Sequence, residues 1–201
     1  DVIAANYQSA GRGRLSRTFE APKNSALLFS LYIEPKREKE DWGWIALIAG
    51  ASVAQAFDEV KATVKWPNDI LVNEKKISGL IAEIVGDGVV IGIGINVGMT
   101  TQELPVETAT SLLISESKQI DRNLILSDFL NRFESNFSKW DSGENFIDRY
   151  SEVCVTLGLP VQIEVSGRAD RTGLAVAINE RGALLLDDGF EVNVGDIVHL
   201  R

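Results

Sequence analysis

Apolar positions along this chain change texture twice. In the first half they fall in short runs at 2–6, 25–34, 62–66, 70–72, 77–85 and 89–97. Each run has the length of a strand and is bounded by Pro, Gly or a polar turn. Gly86-Asp87-Gly88 between the last two predicts a hairpin. Residues 42–59 are different: a long apolar stretch with an Ala/Gly-rich middle at 46–56, opened by the charged residues 38–41, predicts a helix packed closely on a sheet. Leu124, Leu126, Phe129, Leu130, Phe133 and Phe137 recur at helical spacing over 123–140, and a second helix is predicted to run from the Gly143 break to 157. This pair is expected to cover one face of the sheet. Beyond Gly158-Leu159-Pro160 the runs shorten to 161–165, 174–178, 183–186, 190–194 and 197–200, separated by glycines. Such spacing predicts a small β-barrel of about forty residues. The expected fold is therefore α+β, a mixed or antiparallel sheet packed by helices over 1–157 followed by a small barrel domain over 158–201. Because the chain opens on a strand, its first domain reads as one entered partway.

Composition narrows what such a fold is used for. Lys+Arg number 20 against 29 Asp+Glu, a net charge of −9 with a pI near 4.7, which disfavours an electrostatic nucleic-acid binder. Hydrophobic residues at 45% and charged residues at 24% match globular proteins and exclude disorder as the main state. No apolar run approaches the roughly 18 residues of a membrane span, and the start lacks a signal-peptide pattern. A cytoplasmic protein without membrane partners is expected. One cysteine, Cys154, and one histidine, His199, allow neither an intrachain disulfide nor a Cys/His zinc site. Chemistry is left to carboxylates, lysines, arginines and bound small molecules.

Against the acidic whole, 9–23 is basic: Arg12, Arg14, Arg17 and Lys23 stand against Glu20. Gly11 and Gly13 free the backbone to wrap a ligand, and the arginines offer planar, permanent donors for carboxylate or phosphate. A solvated basic linker would have the same composition. Position favours the anion-binding reading, since the loop far exceeds the ~4–6 residues that ordinarily join two strands. Its like charges and glycines predict a segment 12–17 that orders on neutralisation by an anion. Lys65-Trp66-Pro67-Asn68-Asp69 comes next. Pro67 cannot donate to a sheet ladder, so Asn68 and Asp69 sit at a strand break and either point into a cleft or form a plain turn. Lys76 heads the strand that carries Gly79, and glycine in a strand often marks the close approach of a ligand. The run Gly92-Ile93-Gly94-Ile95-Asn96-Val97-Gly98 has neither the spacing nor the strand-to-helix context of a dinucleotide fingerprint. Alternation puts Gly92, Gly94 and Asn96 on one face, as a flat channel or as a seat for the helix 42–59.

In order and spacing, Tyr7-Gln8-Ser9-Ala10-Gly11-Arg12-Gly13-Arg14-x-x-Arg17, Lys65-Trp66-Pro67-Asn68-Asp69, Lys76-Ile77-Ser78-Gly79-x-x-x-Glu83 and Gly92-Ile93-Gly94-Ile95-Asn96 together resemble the biotin protein ligases. The C-terminal run from Gly173 to Leu184 resembles that family's small SH3-like domain, so the likeness spans the chain. It implies a fold of the class II aminoacyl-tRNA synthetase and biotin ligase type. It implies an enzyme that joins biotin to ATP as biotinyl-5′-AMP and passes the biotinyl group to a lysine of a biotin carboxyl carrier protein. ATP and Mg²⁺ would be required. Carried over residue by residue, the resemblance assigns Gln8, Gly11, Arg12, Gly13, Arg14, Lys76 and Gly79 to biotin, and Arg12, Arg14, Arg17, Phe19, Lys65 and Asn96 to ATP or the adenylate. Asn96 would also assist the metal. Lys76, Arg14 and Asp69 are the expected catalytic residues, with Asp69 orienting Lys76 or receiving the acceptor lysine's proton.

Three departures accompany the likeness. The family's Ser/Thr-Ser/Thr-Asn strand and following helix would precede Asp1. Phe19 stands where many members have Trp, keeping an aromatic lid but losing the indole N–H. No N-terminal helix-turn-helix occurs in this sequence, which is the expectation for a ligase without a transcriptional role. A lipoate ligase of related fold and a non-catalytic ligand-binding module are the rival readings. The strand 89–97 is open to pairing across a homodimer.

Overall fold

The computed structural model describes residues 1–14, 18–164, 170–193 and 195–200. Six strands, β1 (Val2–Ala5), β2 (Ala26–Ile33), β3 (Thr63–Lys65), β4 (Asp69–Val72), β5 (Lys75–Val85) and β6 (Gly88–Asn96), form a sheet in the order β1-β2-β6-β5-β4-β3, each pair antiparallel. The two most apolar strands, β2 and β6, lie side by side in the interior, while β1 at the edge is exposed throughout. Gly86, at φ +61°, turns β5 into β6 as the predicted hairpin.

The apolar stretch after β2 becomes helix α1 (Gly43–Ala56), buried on nearly every side. A helix that is apolar all round belongs in the middle of a core, and α1 is covered from two directions. Gly50 faces Val64, Ile70 and Leu80 of the sheet. On the other side Asn136 of helix α2 (Arg122–Asp141) donates from Nδ2 to Ser52 Oγ at 3.0 Å and to Gln55 Oε1 at 2.9 Å. The apolar face of α2 is an aromatic ladder, Phe129, Phe133, Phe137 and Trp140, that meets β2 through Phe29. Asp121 caps its start by accepting from Asn123 N at 2.8 Å. The helix over the middle of the sheet is thus α1, and α2, expected to cover that face, packs on α1 and reaches the sheet at β2.

Instead of a second long helix to 157 there is α3 (Ile147–Ser151) alone, whose Tyr150 meets Trp44 edge to face. The chain then leaves helical geometry because β3 offers better backbone partners: Val64 N donates to Val153 O at 2.7 Å and Val155 N to Val64 O at 2.9 Å. The C-terminal strands β7 (Pro160–Glu164), β8 (Arg171–Ile178), β9 (Leu184–Leu186), β10 (Glu191–Val192) and β11 (Asp196–His199) form a five-stranded antiparallel sheet in the order β10-β9-β8-β7-β11. Two indoles hold its 179–182 turn against the rest of the molecule. Trp44 Nε1 donates to Glu180 O at 2.7 Å and Trp66 Nε1 to Gly182 O at 3.1 Å. The approach is close enough that a Cβ on Gly43 would stand 2.6 Å from Arg181 O.

Candidate active site

The main cleft lies on the face of the sheet turned away from α1. Leu80 points toward α1, so Gly79 beside it faces outward, and the register sets Gly79 directly opposite Gly94. These two missing side chains make the floor. Across Gly79 lies Lys76, whose Nζ sits 3.1 Å from where a Cβ would be; on Gly94 lies the ring of Phe19, with ring carbons 2.8 Å from the equivalent point. Gly94 therefore seats an aromatic side chain, while accommodation of α1 falls to the helix's own Gly50. With these groups in place the cleft encloses about 160 Å³. It continues past Arg14, Asn68 and Leu80 into a larger groove of about 550 Å³ that reaches Trp42, Arg181 and Asn193.

Lys76 owes its place to backbone. A register shift between Ile70 and Leu71 interrupts regular alternation there, setting Leu71 opposite Lys76 and Ile70 opposite Ser78. The loop before α2 then clamps Lys76 from the other side, Lys76 N donating to Thr108 O and Thr110 N to Lys76 O, both at 2.8 Å. Its ammonium ends 2.5 Å from Asp69 Oδ1. Lys75 next to it is exposed and outside the cleft.

Arg14 is placed by side chains. The basic loop closes on itself where Phe19 N donates to Gly11 O at 3.0 Å; Gly11 is buried at this neck, where a Cβ would lie 2.1 Å from Phe19 O. From the loop Arg14 Nη1 donates to Asn68 Oδ1 at 2.8 Å and Nη2 to Gly195 O at 3.1 Å, with Asp196 Oδ1 3.6 Å from Nη1. Asn68 is itself fixed by donating to Leu80 O at 2.9 Å. Arg12 is exposed and pairs with Glu83 Oε2 at 3.2 Å. Each of these three cations thus has a carboxylate beside it: Asp69, Asp196 and Glu83. Of the three, Arg14 is the most withdrawn from water and Arg12 the most exposed, and an anion entering the cleft would have to share or displace those carboxylates.

Gln8, Arg12, Gly13, Arg14, Phe19, Asp69, Lys76 and Gly79 line this one cleft, although they span most of the first eighty residues. Four expected site residues do not join them: Gly11, assigned to biotin, is buried in the neck of the loop, its Cβ position blocked by Phe19 O, and does not line the cleft, and the other three are Asn96, Lys65 and Arg17. Asn96 is buried at the end of β6 and commits its amide to Thr110 O at 2.9 Å, anchoring the loop that clamps Lys76. Lys65 lies beside His199 of β11, where its charge lowers the imidazole pKa. Arg17, with 15–17 as a whole and hence half of the segment 12–17 expected to order on anion binding, falls outside the described residues. No cluster of three or more His, Cys, Asp or Glu able to hold a metal occurs among the described residues, and Asn96 alone does not make a resident site. Sequence reading missed Asp196 and Gly195 entirely. They come from the start of β11, Gly195 lying 181 residues beyond Arg14, and nothing in a short Gly-Asp pair signals that destination.

Residues 1–99 match the model of the biotin/lipoate A/B protein ligase family. The whole chain aligns with 79% of a biotin–acetyl-CoA-carboxylase ligase of Mycobacterium tuberculosis at 34% identity. Among solved structures, the Aquifex aeolicus biotin protein ligase in complex with biotin and ATP superposes with a TM-score of 0.85 at 31% identity, covering 100% of this chain and 88% of that one. The Leishmania major biotin protein ligase in complex with biotinyl-5-AMP gives 0.64 at 26% identity, over 95% and 86%. A cleft that gathers Arg12, Arg14 and Lys76 on a glycine floor, the alignment of the full chain and the superposition agree: the chain belongs to the biotin protein ligases.

Proposed function

We propose that this chain activates biotin with ATP and transfers it to a lysine of a biotin carboxyl carrier protein, and that the cleft over Gly79 and Gly94 is where both steps occur. The observation that carries this reading is the convergence of Lys76, Arg12 and Arg14, from a strand and a loop far apart in sequence, on one partly enclosed site. In the first step a biotin carboxylate oxygen bonds to the α-phosphorus of ATP as the bond to the pyrophosphate oxygen breaks, giving biotinyl-5′-AMP and pyrophosphate. Two anions must meet, and fixed cations offset their repulsion without reorganising at that moment. Lys76, oriented by Asp69, stands at the junction of carboxylate and α-phosphate; Arg14 and Arg12 face the phosphate and biotinyl sides, and Phe19 covers the adenylate from its seat on Gly94. The groove toward Arg181 and Asn193 takes the rest of the nucleotide. Mg²⁺ arrives on ATP as part of the substrate, held by phosphates and water. In the second step the acceptor lysine's amine attacks the acyl carbon, AMP leaves, and the amine proton passes to water or to Asp69.

Biotin-dependent exchange between ATP and pyrophosphate tests the reading. Exchange with biotin and none with lipoate is expected. Lipoate-dependent exchange would point to the related ligase, and none with either to a binding module. Chelation of Mg²⁺ is expected to abolish exchange while leaving the far-UV dichroism unchanged.

A further inference from the structure

Beside the Trp66-Pro67-Asn68-Asp69 segment, outside the lining of the cleft and its groove, runs a short polar chain through Thr156 and His199. Trp66 N donates to Thr156 Oγ1 at 3.0 Å, and Thr156 Oγ1 lies 3.1 Å from His199 Nε2. Thr156 is fully buried, in the segment that pairs with β3, and His199 is in β11 of the C-terminal sheet. We propose that Thr156 and His199 are positioning residues of the ligase reaction, a hydrogen-bonded relay through which the C-terminal sheet holds Trp66 and thereby sets Asn68 and Asp69 against Arg14 and Lys76. This rests on the biotin ligase reading of the cleft.

Donor bookkeeping gives the relay a direction. Thr156 Oγ1 accepts from the Trp66 amide and has a hydrogen of its own to give; the relay assigns His199 the neutral tautomer with its proton on Nδ1, in which Nε2 accepts that hydrogen. Burial and the nearby Lys65 charge lower the pKa of His199, and Glu74 opposes them weakly, so the neutral ring is the form held at pH 7. Protonation turns Nε2 into a donor. Thr156 Oγ1 then faces two donors and its hydroxyl hydrogen is turned away from the ring, toward the weaker acceptor of the neighbouring Cys154 sulfur. The stress falls on Trp66, whose indole is pinned to Gly182 O, and on the two residues that follow. Asn68 bonds Arg14 at 2.8 Å and Asp69 meets Lys76 at 2.5 Å, so a shift of this backbone misplaces both cations together. Because the folded pKa is depressed, the stability that neutral His199 contributes is fully present above its unfolded value near 6.5 and is lost as pH falls below it.

The test is single-turnover formation of biotinyl-5′-AMP at saturating biotin and MgATP, followed from roughly pH 5 to 8. Thr156→Val should slow adenylation about tenfold at pH 7.5 with biotin affinity little changed, and Thr156→Ser should restore it. His199→Gln keeps an acceptor that does not titrate; it should match wild type at pH 7.5 and retain its rate on the acid side, where wild type declines. An acid decline in His199→Gln identical to that of wild type overturns the relay, as does a Thr156→Ser rate as low as that of Thr156→Val. If Thr156→Val does not fold, the His199→Gln profile still decides. Failure of wild type to form any adenylate would instead break the ligase reading itself.

Discussion

Lys76 and Arg14 end within one cleft, yet the molecule holds them by different means. Backbone clamps Lys76 on both sides, β4 on one and the 108–110 loop on the other, and its side chain meets Asp69. Arg14 rides a loop whose neck is fixed by backbone, and its guanidinium is set by Asn68, Gly195 O and Asp196, groups from two other segments. The first is preorganised wherever the main sheet is folded. The second is in place only when the C-terminal sheet is also in place. A residue needed for charge at the instant of bond making gains most from the first arrangement, whereas one that must move aside for substrate entry is served by the second.

If that contrast is right, the largest effect is Lys76→Ala, which should slow adenylation by about 10²- to 10³-fold in single-turnover measurement with a smaller change in biotin affinity. Lys76→Arg should recover only part, because a planar fork does not replace a compact ammonium. Arg14→Ala removes a charged contact worth about 1.5–3 kcal/mol, or roughly ten- to a hundredfold, and should raise the apparent KM for ATP as well as lower the rate. Equal effects in rate and KM from both alanine variants would erase the distinction. Gly94→Ala should act less, several-fold on nucleotide affinity, because its methyl meets the Phe19 ring at 2.8 Å and the ring has to tilt; nucleotide titration checks it. Asp196→Asn should leave the Lys76-dependent step nearly intact while tryptic cleavage after Arg14 speeds up about two- to fivefold without ligand. Unchanged cleavage would mean that the C-terminal sheet does not restrain the loop. Lys75→Ala is expected to change nothing measurable, since that side chain is exposed and outside the cleft.

What the sequence made legible follows the same division. Strands whose apolar residues meet a core were read nearly to their ends, as β2, β5 and β6 were, and the motif-bearing side chains Arg14, Asp69 and Lys76 reach a common cleft. Local pattern carried that information. The length of α3 was misread because the competing partner, β3, lies some ninety residues upstream, and helical spacing says nothing about an unpaired strand edge. Asn96 was assigned to ligand because its position on the glycine face was legible and its bond to Thr110 was not. Asp196, Thr156 and His199 carry no motif at all; their relevance arises only from which distant backbone they meet.

The seam at Gly43 and Gly182 has a consequence for how such a protein changes over generations. A Cβ on Gly43 would press on Arg181 O at 2.6 Å, and one on Gly182, already at φ +82°, would meet Leu47 at 3.1 Å and Gly43 C at 3.3 Å. Neither neighbour is a flexible side-chain tip that could yield to the newcomer; two are main chain and the third is anchored in the core. The main-chain contact at Gly43 cannot be relieved by a second substitution across the seam, and a smaller residue at Leu47 would ease only part of the contact at Gly182, whose φ still disfavours a side chain. At this joint drift is confined to insertions, deletions or a change of the whole 179–182 turn, so a chimera that joins one relative's N-terminal part to another's C-terminal sheet should survive only where both keep the paired glycines.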